Sequence, residues 1–494
     1  MIEICNALLA ILTIFPATLA ILLAIIGTVG GIKRGAKFTL IRLFVILGSF
    51  TAALIVSILA LPSFDKALAA PLTALLSNTS FFRGVSMEGI AECAGILAGA
   101  IVCPFLFCLF YVVIDLVFHI VFHAVTAHFR HKEEPSGLSR LGGAGLGFLS
   151  ALLVSIFLLA PLSGTAELVS TAADNLRKEE FSAENTKVLY EFGDKLQELP
   201  VLSHVYTFGG RAIYDALAVV RFEDGAKPLD HEIAYAAKAT AQGYCLATPL
   251  IHYGPAQISA LRKLADYCEE TVLLPHAGGE TVSAVAAEMA KSGSAMSFAL
   301  PDFGPYLSGL ADKTFEILAT TSPALIAEDL RATADILEVL YRYGVLIDIE
   351  SDYATLDNIA KPGFAEDLND VLHTHPRLEP LRDEIGRIAL LAVAGAVNVE
   401  ELGELEETTL AHVATEITHL LNDTGSKEEL ADRLHTFLDA ADASVDFDTS
   451  GLTEFVTDTV LHHFDGKEYV TAEDLRQLIL DYRDELIAAG YPVY

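Results

Sequence analysis

From Ile4 to Ile32 the chain carries no charge, and the run ends in Lys33, Arg34 and Lys37. About 20 apolar residues cross the hydrocarbon core of a bilayer as a helix, and only a helix or a closed barrel satisfies its backbone there. Three more long apolar runs follow before residue 164. The first third is therefore expected to fold with lipid as its solvent, and this constrains function more than any motif does.

Charge divides at the same place. Residues 1–164 hold 9 Lys and Arg against 7 Asp and Glu, which leaves 23 against 58 for residues 165–494 out of the 32 and 65 in the whole chain. The acidity lies in the second part. Such a surface repels nucleic acid, whose binding needs phosphate neutralisation, so no DNA or RNA partner is expected. The 330 residues after 164 suffice for one large domain or two smaller ones.

The N-terminus does not read as a removable signal. Glu3 stands where a signal carries basic residues, and the apolar run exceeds the roughly 7–15 residues of a signal's core. Four spans follow, at about residues 5–31, 38–61, 90–118 and 141–162. Lys33, Arg34 and Lys37 lie between the first two, with Arg42 just inside the second; Arg130, Lys132 and Arg140 lie between the last two. The intervening connection offers only Lys66 and Arg83, offset by Asp65 and Glu88. The positive-inside rule puts both basic loops in the cytoplasm, and the N-terminus and residues 165–494 outside. An odd number of spans would reverse that placement.

Small residues recur every fourth position: Gly27, Gly31 and Gly35; Ala91, Gly95 and Gly99; Gly143, Gly147 and Ala151. In lipid this spacing lets helix backbones approach closely, within one bundle or between two copies of the chain. Asp115, His119 and His123 share one face of the third run. Such a face could relay protons or hold a metal, although a polar stripe at the membrane interface accounts for it more simply. No metal, cofactor or catalytic residue is assigned. Leu68, Ala69, Leu72, Leu75 and Leu76 repeat with helical spacing in an otherwise polar connection, as an interfacial helix would.

The segment Gly31 to Leu43, GIKRGAKFTLIRL, resembles the first-loop signature of colicin V production (CvpA-like) membrane proteins, where an Arg-Gly pair, here Arg34 and Gly35, joins two apolar helices. Ser136 to Phe148, SGLSRLGGAGLGF, is similar to that family's entry to its last helix, with Arg140, Gly143 and Gly147 in matching places. It departs at the first position, where Ser136 stands and the glycine follows at Gly137. The resemblance covers residues 1–164. It implies a polytopic membrane protein connected with toxin production or export and envelope maintenance, and supplies no catalytic residues.

After Thr165 the pattern is helical. Ile326, Leu330, Ala334, Leu337 and Leu340 illustrate the spacing, and Gly and Pro fall between segments. About a dozen helices of 10–20 residues are expected, divided near residues 297–306 or 346–364 if they form two bundles. Ile388 to Val397 is too short to span and reads as a buried core helix. Asp446, Asp448, Ser450 and Gly451 match half of a calcium loop, but Thr453 and Thr457 occupy positions that need an apolar residue and a bidentate Glu. His462 and His463, with His412 and His419 before them, read as surface residues. Cys245 and Cys268 could pair only if that part faces an oxidising compartment.

The expected fold is all-α, a four-helix transmembrane bundle followed by a large acidic α-helical domain. Three function classes fit. The favoured one is a non-enzymatic membrane scaffold that contacts lipid and protein partners of the cell envelope, with self-association through the glycine-rich helices. The others are a transporter or channel built on the bundle, and a membrane-anchored enzyme with its site in the acidic domain.

Overall fold

The computed structural model describes residues 2–77, 88–130, 136–182, 186–247, 253–292, 304–346, 358, 361, 363–385, 462–464 and 481. Among the described residues the expected all-α fold holds, apart from one short hairpin. Two compact units divide the chain, Met1–Tyr244 with Asp266–Glu280, and Cys245–Ala265 with Thr281–Tyr494.

Among the described residues three helices, and not the expected four, are long and apolar enough to cross a membrane. They lie within α1 (Ile2–Ser77), α2 (Glu88–Arg130) and α3 (Gly137–Lys178). The first two expected spans fall together in α1, because the basic segment 33–37 stays helical and only Gly35 departs, with φ 75° and ψ 169°. As a straight rod α1 would be about 110 Å long, over three times the thickness of a hydrocarbon core. Gly35 breaks it into two arms, and the positive φ it takes is one that a residue with a Cβ adopts at a cost.

Both arms pack along α3 in opposite directions. In the first arm, Gly27 and Gly31 meet Gly147 and Gly143, while Leu9 and Leu12 reach the level of Leu162 and Ala166, an antiparallel register. In the second arm, Ala36 lies beside Ser139 and Phe50 stacks on Phe157, a parallel one. α2 runs antiparallel to this second arm, with Arg42 against Asp115, Ser57 against Cys103 and Leu61 against Gly99. The stretch expected to form an interfacial helix is helical to Ser77 as a direct continuation of α1.

Beyond α3 the first unit continues with α4 (Thr186–Gln197), α5 (Pro200–Val205), a π-helical turn (Tyr206–Gly210) and α6 (Arg211–Leu217). A hairpin of β1 (Val219–Phe222) and β2 (Gly225–Pro228) precedes α7 (Leu229–Cys245). This hairpin was not expected from the sequence; four-residue strands are too short to display a period-two pattern. Val220 and Leu229, both fully buried, place it in a core with Cys93, Ala100, Leu168 and Tyr214. Glu232 of α7 is 0% exposed and accepts the backbone N–H groups of Val272 and Leu273 at 3.2 and 2.9 Å. Its carboxylate thus caps α9 (Leu273–Ser292) in place of a local residue.

The second unit takes in part of α8 (Pro255–Glu270) and of α9, with α10 (Gly304–Ala319), α11 (Ile326–Arg342) and α12 (Phe364–Thr374). The α11 spacing read from the sequence is its packing face, since Ala334 and Leu337 are buried with Ile258 and Leu261. Buried Asp329 accepts from Arg377 Nη1 at 2.8 Å and Thr321 Oγ1 at 2.6 Å, fixing the start of α11. All six cysteines, Cys245 and Cys268 included, are free thiols.

Candidate functional site in the apolar bundle

The two segments that carry the family resemblance lie a hundred residues apart in sequence and meet in space. The break at Gly35 takes the backbone N–H of Ala36 out of the helical ladder, and that N–H donates to Ser139 Oγ at 3.1 Å. Ser136 caps α3 by accepting from the Ser139 N–H at 3.3 Å. Thr39, 2% exposed, donates to the Gly35 carbonyl at 2.7 Å and closes the turn. A Cβ on Gly31 would overlap the Gly143 carbonyl oxygen, and one on Gly143 that of Gly31; Gly27 and Gly147 are related in the same way. These glycines are spent on contact within the chain. Gly95 and Gly99 pack on Ala69, Leu61 and Asp65 of the second arm, also within the chain. Arg140 is exposed, and Gly137 has open space around its α-carbon.

About two turns beyond Gly35 lies a charged pair of the bundle interior. Arg42 Nη2 donates to Asp115 Oδ2, with side-chain exposures of 12% and 19%, and Ser49 Oγ donates to Asp115 Oδ1 at 3.2 Å. Asp115 therefore faces the second arm of α1. His119, expected on the same face, is half-buried with Nδ1 sealed from solvent and without a hydrogen-bond partner, whereas His123 is exposed. The three residues do not converge. Among the described residues no group of three or more His, Cys, Asp or Glu is placed to hold a metal ion.

No single segment of the sequence announces this pairing. A lone Arg near the start of one expected span and a lone Asp near the end of the next lie at equal depth if the two helices are antiparallel. A charge in lipid calls for such a partner. That was the available signal.

Deeper in the bundle, rings fill the interior. Phe50 stacks on Phe157 at 4.3 Å between centroids and meets Phe107 edge-on at 5.5 Å, while Tyr111 meets Phe157 edge-on at 5.6 Å. Phe107, Tyr111 and Phe157 are buried together with Ile46, Ala53, Cys103 and Ile156.

His462 and His463 are exposed, as expected of surface residues. Asp446, Asp448, Ser450, Gly451, Thr453, Thr457, His412 and His419, and the run Ile388 to Val397, lie outside the described residues. No protein-family model, curated protein or solved structure matches this chain.

Proposed function

We propose that this chain is a polytopic membrane protein of the colicin V production (CvpA-like) type, acting as a non-enzymatic scaffold. Its bundle crosses the membrane four times, counting the two arms of α1 separately, and holds the acidic helical region outside the cytoplasm for contacts with envelope proteins. Toxin production or export and envelope maintenance are the processes that the resemblance implies. The observation that carries the scaffold reading is the aromatic packing of Phe50, Phe107, Tyr111 and Phe157, which occupies the interior a conduit would need. The encounter of the Arg34-Gly35 turn with the Ser136 to Gly147 segment supports the family likeness, since Gly31, Gly35, Ser136, Gly143 and Gly147 gain a structural reason there, while Gly137 and Arg140 do not.

A transporter is the second reading, favoured by one observation: Arg42 Nη1 and His119 Nδ1 are buried without partners beside the Arg42–Asp115 pair. Flux of protons and small ions into proteoliposomes separates the two. A scaffold gives the flux of protein-free vesicles. A conductance abolished by Asp115→Asn would overturn the scaffold reading. Orientation is tested with reporters inserted at residues 131–135 and fused after Tyr494, which this reading places on opposite sides of the membrane.

A further inference from the structure

α5 and the π-helical turn sit against the far end of the bundle from the Gly35 break. Leu199 and Leu202 are buried with Ala166 against the half-buried Leu9, Leu12 and Leu162, and a Cβ on Gly210 would come 3.1 Å from Ser163 Oγ. Along α3, Ser163 follows Gly143 by about 20 residues, or about 30 Å at the helical rise, which matches one hydrocarbon core. Gly143 lies at the basic Gly35 turn, among Lys33, Arg34, Lys37 and Arg140. If that turn marks one membrane face, the π-helical turn lies at the other.

The turn also presents its largest apolar side chain outward. Phe208 is 72% exposed and stacks only loosely on the exposed ring of His204, at 6.2 Å between centroids. Gly209 follows with φ +128° and open space around it, and this conformation swings the chain so that Phe208 projects while Gly210 is buried. Half-buried Tyr206 lies in the same turn. At about this level, by the antiparallel register, the first arm of α1 exposes Ile11, Ile14 and Phe15, so the bundle surface there is apolar too. Tyr concentrates at this depth of a bilayer because its ring is amphipathic, and Phe anchors interfacial segments there by burying apolar ring area.

We propose that the π-helical turn Tyr206–Gly210 is a membrane-surface contact, with Phe208 inserted among the headgroups and upper acyl chains of the leaflet opposite the basic turn. The contact is apolar. Residues 165–494 carry a large negative excess, so anionic lipid would repel this part of the chain, and the insertion draws on buried ring area alone. The proposal rests on the membrane-spanning reading of α1–α3, and one pair of variants tests the two apart.

The natural chain contains no Trp, so a single substitution gives a background-free reporter. The full chain carrying Phe208→Trp, or Leu152→Trp on the exposed mid-section of α3, is reconstituted into zwitterionic phosphatidylcholine vesicles brominated at shallow or deep acyl carbons. Leu152→Trp is expected to lose most fluorescence with the deep bromines. Phe208→Trp is expected to lose most with the shallow ones and to emit to the blue of a water-exposed indole. Quenching of Leu152→Trp by lipid, with Phe208→Trp untouched by any brominated lipid and open to aqueous iodide, overturns the insertion and leaves the spanning reading intact. No lipid quenching of either overturns both.

Discussion

Arg42 and Asp115, 73 residues apart in sequence, form an ion pair between the second arm of α1 and α2, with Ser49 completing the carboxylate's contacts. Both side chains are largely withdrawn from solvent, and the surrounding helices are apolar. Removing one partner leaves a charge where none is tolerated, at a cost of up to about 3–5 kcal/mol, whereas replacing both with apolar residues is close to neutral. Asp115→Leu should therefore unfold at much lower denaturant in detergent than Arg42→Met/Asp115→Leu. A double variant as unstable as Asp115→Leu would show that the pair is not the interaction that matters.

The glycine seam gives a sharper contrast. Gly31→Ala and Gly143→Ala each place a methyl against backbone, and overpacking of this kind costs about 1–3 kcal/mol. Gly145 has nothing within 4 Å, so Gly145→Ala should be neutral or stabilising by up to about 1 kcal/mol through helix propensity. Thermal loss of helical circular dichroism in detergent ranks the three. Equal behaviour would mean that the two helices do not touch there.

Much of this bundle could be read in the sequence, and the unread parts have physical causes. Apolar runs are properties of single segments, so α1–α3 declared themselves, as did the break at Gly35 beside Arg34. The merger of two expected spans into α1 was hidden because nothing local distinguishes a one-residue reversal from a short loop. Arg42 read only as an orientation signal and Asp115 only as one face of α2, since their meeting depends on how two helices lie together. Glu232 looked like any acidic residue on a helix; its burial beneath Val272 and Leu273 follows from a tertiary fold that no local pattern encodes.

That carboxylate supplies a further prediction. Glu232→Ala strands two N–H groups at the start of α9 away from water, each worth about 1–3 kcal/mol, while Glu232→Gln keeps one acceptor. Hydrogen exchange at Val272 and Leu273 should accelerate strongly in the alanine variant and less in the glutamine variant. Unchanged exchange in both would contradict the capping role.

Asp215 provides a pH dependence outside the spanning helices. Burial raises its pKa, and Asp230 raises it further against the opposing pull of Arg211, whose Nε lies 3.4 Å from Oδ2. A carboxyl with a folded-state pKa above its unfolded value holds its proton more tightly when folded. Stability is then lost as pH rises from the unfolded towards the folded pKa, and the penalty persists above both. Asp215→Asn should be more stable than the parent at neutral pH, and the difference should close as pH falls below the ordinary carboxylate range. A constant difference from acid to neutral pH would point to a lost hydrogen bond instead.

Helices α1, α2 and α3 that have lipid as their solvent make the chain an integral membrane protein. Extraction of cell membranes with alkaline carbonate, which strips proteins held by surface contacts, tests it most directly. The full chain is expected to stay in the membrane pellet and to leave it only when detergent is added; recovery in the carbonate supernatant as a soluble, folded protein would rule out a lipid-embedded bundle.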